Sequence, residues 1–144
     1  MSRTNSRKNY EGYCDPTAYE ALSTVTKEER SAKPEYPRVY ICSPFKGDIE
    51  ANTASALHYC RFALERGTFP IAPHCYLPRF MDDEHPTQRE LALSFGIRLL
   101  HGCRELWLFG DVISEGMKRE INAAKRRNIP IRYFRENCEE VREL

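Results

Sequence analysis

The sequence predicts an α/β fold: a mostly parallel sheet of four to five strands held between helices in three layers. Three observations carry that expectation. Four apolar runs, at residues 39–42, 69–72, 106–109 and 129–134, are strand-sized and near-continuous rather than alternating, as strands covered on both faces require. Amphipathic stretches long enough for helices separate them, and that alternation is the mark of parallel strands joined by crossover helices. The chain has 144 residues, 41% of them hydrophobic, with 22 Lys+Arg against 21 Asp+Glu, which is enough for one core and leaves no room for a second domain of similar size.

Taken in order, residues 1–37 hold six basic and six acidic groups and end in Lys33-Pro34-Glu35-Tyr36-Pro37, where the two prolines discourage any regular element. We expect a leader with one short helix. Asp15 caps it, Pro16 and Thr17 form its first turn, and Tyr19, Leu22 and Val25 or Thr26 follow at helical spacing. The main domain is expected over residues 38–144. After the first strand, Ile49, Thr53, Ala56, Leu57, Cys60, Ala63 and Leu64 recur at steps of three and four, a buried helical stripe capped by Asp48 and ended by Gly67. After the second strand comes an irregular stretch of fourteen residues, 73–86, long enough to be the wall of a binding site. The next helix opens on Thr87-Gln88-Arg89-Glu90, a capping-box spacing, and places Leu91, Phe95 and Leu99 inward up to Gly102. The last begins at Glu115 behind Ser114 and turns Met117, Ile121 and Ala124 to the core.

Several function classes are disfavoured. A net charge of +1 is unlike a protein that neutralises many phosphates, so duplex nucleic acid is not expected. No apolar run approaches the ~18 residues of a membrane span, and the N-terminus lacks the apolar stretch of a signal peptide. A cytoplasmic protein is the expectation. The six cysteines, Cys14, Cys42, Cys60, Cys75, Cys103 and Cys138, form no CxxC pair, so free thiols are expected and zinc is not. Asp82-Asp83-Glu84-His85 reads as a charged loop tip. No metal or other cofactor is called for.

In open parallel sheets ligands bind beyond the carboxyl ends of the strands. Ser43-Pro44-Phe45-Lys46-Gly47, Pro73-His74 and Gly110-Asp111-Val112-Ile113-Ser114 converge there. Ser114 is a natural N-cap, and Glu120 follows just under two turns later, where a side chain leaning toward the helix start reaches back to the cleft. Four residues before it lies Gly116. A glycine there costs roughly 0.5 to 1 kcal/mol relative to alanine, which suggests that the space above Glu120 is used by a ring-shaped ligand. The competing reading makes Glu120 a solvated partner of the neighbouring lysines and arginines.

Val39-Tyr40-Ile41-Cys42-Ser43-Pro44-Phe45, together with Leu106-Trp107-Leu108-Phe109-Gly110-Asp111 and Ser114-x-Gly116-Met117-x-x-Glu120-Ile121-x-x-Ala124, resembles the nucleoside 2-deoxyribosyltransferase family. The likeness spans residues 38–134 and is nearest to the family's short bacterial and phage relatives. It implies a Rossmann-like or flavodoxin-like three-layer sandwich. It also implies that Glu120 attacks the anomeric carbon of a deoxyribose, with Tyr40 near the reacting sugar. The transferases generally carry aspartate where this chain has Ser114, whereas the related deoxynucleoside monophosphate hydrolases carry serine. Ser114 and Lys46 therefore match phosphate contacts.

The further substrate-binding candidates are Ser43, Phe45, His74, Asp111, Gly116 and Met117. His74 has a plainer reading as a hydrogen-bonded loop residue. The resemblance departs at Gly96, where the family places a second carboxylate. Either Asp82, Asp83, Glu84 or Glu90 takes over that work, or hydrolysis is weak or absent. The resemblance thus implies cleavage or transfer of the N-glycosidic bond of a small-molecule deoxynucleoside or its 5′-monophosphate. The alternative is a nucleotide-binding module without turnover. It also implies a homo-oligomer in which one subunit completes its neighbour's pocket, with Tyr10, Tyr13 and Tyr19 as candidate contacts.

Overall fold

The computed structural model describes residues 36–142. The expected leader helix and Tyr10, Tyr13 and Tyr19 lie outside the described residues. The elements run β1 (Arg38–Cys42), α1 (Ile49–Glu65), β2 (Phe69–Ile71), α2 (Pro86–His101), β3 (Glu105–Phe109), α3 (Glu115–Arg126), β4 (Ile131–Phe134) and β5 (Glu140–Val141). The sheet order is β2-β1-β3-β4-β5. Four strands are parallel, and β5 returns antiparallel against β4. This is the flavodoxin-like order, in which the crevice for a ligand opens where the winding reverses, between β1 and β3.

Strand periodicity divides the core in two. Val39, Ile41, Trp107, Phe109 and Phe134 pack with Tyr59 and Ala63 of α1. Tyr40, Cys42, Leu106 and Leu108 face the other way, toward Leu100 of α2 and Met117, Ile121 and Ala124 of α3. Successive side chains on a strand point to opposite faces, so β1 contributes to both layers.

The helices depart from the expected stripes in an instructive way. On α1 the buried residues are Ala56, Tyr59 and Ala63, while Ile49, Leu57 and Leu64 are 48%, 47% and 57% exposed. The sheet below is crowded with rings, and Tyr59 stacks on Phe109 with centroids 4.2 Å apart while Phe62 meets Phe134 edge-on, so the helix meets it through alanines and two aromatics rather than through branched side chains. On α2 the buried residues are Gly96 and Leu100, and Leu91 and Leu99 are 45% and 36% exposed. The expected inward face is thus rotated, because the helix backbone closes on Tyr40 at Gly96.

The start of α2 also moves. His85, not Thr87, caps it, its Nδ1 accepting from the Gln88 N–H at 3.4 Å, since Pro86 suits a first turn that needs no N–H donor. The Asp48 and Ser114 caps and the inward Met117, Ile121 and Ala124 are as expected. The stretch 73–86 is not wholly irregular: it contains two single 3-10 turns, Pro73–Cys75 and Leu77–Arg79. Cys42, Cys60, Cys75, Cys103 and Cys138 carry free thiols. No helix among the described residues is long and apolar enough to cross a membrane.

Candidate active site

The site begins with the cap of α3. Ser114 Oγ accepts from the Met117 N–H at 3.3 Å, and the Ser114 N–H donates to Met117 Sδ at 3.5 Å. Met117 thereby fills the place that Glu or Gln takes in the usual capping box. A helix start tied this way sets the direction of the next turn.

Glu120 points from that turn back to β1. Its Oε2 accepts from the Tyr40 hydroxyl at 2.5 Å, and its Oε1 accepts from the Cys42 thiol at 3.3 Å. The two donors are two residues apart, so they share one face of the strand. Enclosure by protein pushes the Glu120 carboxyl up to about 7, against the pull of its hydrogen bonds from Tyr40 and Cys42. Burial first, and the Glu120 charge second, push both Tyr40 and Cys42 well above their usual ranges. Both therefore keep their protons and remain donors.

Gly96 stands over this trio. A Cβ there would lie 3.0 Å from Tyr40 Oη and 3.8 Å from Glu120 Oε2. Position 96 therefore lies beside both Tyr40 and Glu120, and α2 runs too close to Tyr40 there to carry a side chain without displacing it. At Gly116 a Cβ would meet only Leu93 Cδ2, at 3.7 Å, an ordinary contact. The protein itself therefore does not require glycine there, and the tight glycine is Gly96.

Above the trio opens a cavity of about 410 Å³, within the range of small-molecule sites. Tyr40, Gly96 and Glu120 line it, as do Ser43, Phe45, Lys46, His74, Ser114, Gly116 and Met117. The Phe45 and Lys46 carbonyls accept from Asn52 Nδ2 at 3.1 and 2.8 Å, and Gly47 turns the chain into α1 with φ +99°, so the loop is held from behind. Lys46 Nζ lies 3.8 Å from Asp83. Ser43 Oγ and His74 Nε2 are 2.9 Å apart. Burial lowers His74 to about 4, which leaves its ring uncharged at neutral pH.

Asp111 does not join them. Gly110, with φ +96°, turns the chain past the sheet edge, and Asp111 is exposed and outside the lining. Of the carboxylates considered in place of Gly96, Asp82, Asp83 and Glu90 line the cavity and Glu84 does not. Glu90 faces Arg119 at 3.2 Å. The residues missed in the sequence are Cys42 as a partner of Glu120, and Gln88, Arg89 and Arg119 on the cavity wall. The alternation of β1 could have found Cys42, since it shares the face of Tyr40. Among the described residues no group of three or more His, Cys, Asp or Glu side chains is placed to hold a metal ion.

No curated protein matches the chain. Among solved structures it is similar to a 2-deoxyribosyltransferase from the psychrotolerant bacterium Bacillus psychrosaccharolyticus, with a TM-score of 0.53 and 16% identity over 68% of this chain and 72% of that one. At that identity the likeness is one of fold, a distant relationship. The model of a domain of unknown function (DUF7768) matches residues 37–134, more than half of the chain, and the protein therefore belongs to that family.

Proposed function

We propose that this protein cleaves or transfers the N-glycosidic bond of a deoxynucleoside or its 5′-monophosphate through a covalent glycosyl ester on Glu120. The observation that carries the reading is the carboxylate itself, enclosed at the base of a cavity and held by two protonated donors from one strand. A surface glutamate paired with lysines would have neither the enclosure nor the raised pKa. The distant fold relationship to a 2-deoxyribosyltransferase supports it.

In the first step a Glu120 oxygen attacks C1′ of the sugar. The C1′–N bond breaks with its electron pair going to the base, which takes a proton. In the second step water or an incoming base attacks C1′ and gives its proton to the carboxylate that protonated the leaving base, and Glu120 leaves as carboxylate. Asp82 is the carboxyl we assign to the leaving base: it lines the cavity with one oxygen accepting from the Glu84 N–H at 3.0 Å, whereas Asp83 and Glu90 face Lys46 and Arg119. A 5′-phosphate is held by Lys46, by the Ser114 hydroxyl and by the start of α3, where helix N–H groups favour an anion. Exposed pairs such as Lys46–Asp83 hold with about 1 kcal/mol or less, so a phosphate can take the lysine over. The setting we propose is a cytoplasmic homo-oligomer acting on a small molecule, with residues 1–37 as an accessory segment.

Incubation with each deoxynucleoside and deoxynucleoside monophosphate, followed by chromatography of free base, tests the reading. Wild type releases base, and Glu120→Gln lowers the rate at least about a thousandfold, the scale of losing a nucleophile. Equal release by both proteins, or none by either, overturns it. Gly96 favours a second reading, a binding module without turnover, since position 96, beside Tyr40 and Glu120, carries no side chain that could assist the leaving base. Saturable calorimetric binding of a nucleotide with no free base would support that reading instead.

A further inference from the structure

We infer that Cys42 is a positioning residue for Glu120: its thiol and the Tyr40 hydroxyl, alternate residues on one face of β1, each hold one oxygen of the carboxylate. The inference rests on the proposed role of Glu120 as nucleophile. Cys42 is fully buried, so it touches neither solvent nor a ligand in the cavity, and any effect it has must pass through the carboxylate. Its sulfur lies 3.3 Å from Glu120 Oε1. The Tyr40 bond alone, at 2.5 Å to Oε2, leaves the carboxyl free to rotate about that single contact. The second donor removes the rotation and keeps the plane of the carboxylate turned to the cavity.

A thiol is a weak donor. It orients Oε1 without drawing off as much of its electron density as a hydroxyl or an N–H would. Burial and the nearby Glu120 charge keep the proton on sulfur, so the donor does not invert to an acceptor at neutral pH.

Other titratable groups share the cavity with this carboxylate and define the background. Lys46 is offset by Asp83, and Arg119 by Glu90. Asp82, Arg89, Glu115 and the uncharged His74 share the cavity. None of them stands on β1, so none changes when Cys42 is substituted.

The experiment is a carbon-13 titration of side-chain carboxyls in the full chain, with the Glu120 signal assigned by its loss in Glu120→Gln. In Cys42→Ala the Glu120 midpoint rises by about half a pH unit or more, as expected when a donor to the ionised form is lost. In Cys42→Ser, where a stronger donor of the same shape replaces it, the midpoint returns to the wild-type value or falls below it. A residue that merely fills space would move both variants alike or neither, and either result overturns the inference. The titration needs no turnover, so a protein that releases no base would sink the proposed function while leaving this measurement decisive. Where activity is present, the acid limb of its pH profile moves in the same directions.

Discussion

On the α1 side of the sheet, Tyr59, Phe109 and Phe134 stack in series at 4.2 and 4.9 Å, and Phe62 meets Phe134 edge-on at 5.4 Å. On the other side, the same strands present Tyr40, Cys42, Leu106 and Leu108, and two of those four carry a hydrogen-bond donor aimed at Glu120. One face is dry ring packing, where stability comes from apolar burial and offset aromatic contact. The other gives up some of that packing for a carboxylate kept against its preference to be in water. β1 serves both because its odd and even residues never share a face.

The contrast can be broken from either side. Phe109→Ala removes the ring between Tyr59 and Phe134, and should lower unfolding free energy by about 3–5 kcal/mol in urea denaturation, while the folded fraction keeps its Glu120 titration. A loss below about 1 kcal/mol would mean that the aromatic face does not carry the fold.

Glu120→Gln should do the reverse. The folded chain holds the Glu120 proton up to about 7, whereas an ordinary glutamate releases it near 4.5. The group's contribution to stability is therefore whole below 4.5 and is lost as pH rises through 7. The glutamine variant should match wild type near pH 4.5 and exceed it at pH 8 by on the order of 3 kcal/mol. His74, lowered to about 4, has the opposite slope but is present in both proteins and cancels. An advantage that does not grow with pH would show that Glu120 is well solvated after all.

Gly96→Ala should give the smallest change in stability. Alanine favours the helix by about 1 kcal/mol, and the tight approach to Tyr40 Oη at 3.0 Å offsets that gain. The effect appears instead at the site, as an upward move of the Glu120 titration when the Tyr40 bond lengthens. An unmoved titration with a full helix gain would mean that Tyr40 has room to shift.

Much of this architecture was open to reading without coordinates. The four parallel strands, the Asp48 and Ser114 caps and the inward Met117, Ile121 and Ala124 follow from local pattern. The inward face of α1 followed in part, with Ala56 and Ala63 buried as expected, and that of α2 did not. Leu57, Leu64, Leu91 and Leu99 look like core by hydropathy, yet the crowded sheet selects Ala56, Ala63 and Gly96. Around the cavity, spacing and resemblance point to Glu120, Tyr40, Ser114 and Gly116, which all line it, whereas the contact of Cys42 with Glu120 and the close approach of Gly96 to Tyr40 have no local signal.

Strand period, capping chemistry and helix length depend on residues within a few positions of each other, and these the amino-acid order settles alone. The meeting of Glu120 with Tyr40 and Cys42 joins residues 80 and 78 positions apart, and the fit of Gly96 against Tyr40 is a matter of how closely one helix lies on one strand. Those distances, and the raised pKa that comes from enclosing the carboxyl, exist only once the layers have packed. A pattern of neighbours in the chain cannot report a contact whose energy depends on what lies within 3 Å in space.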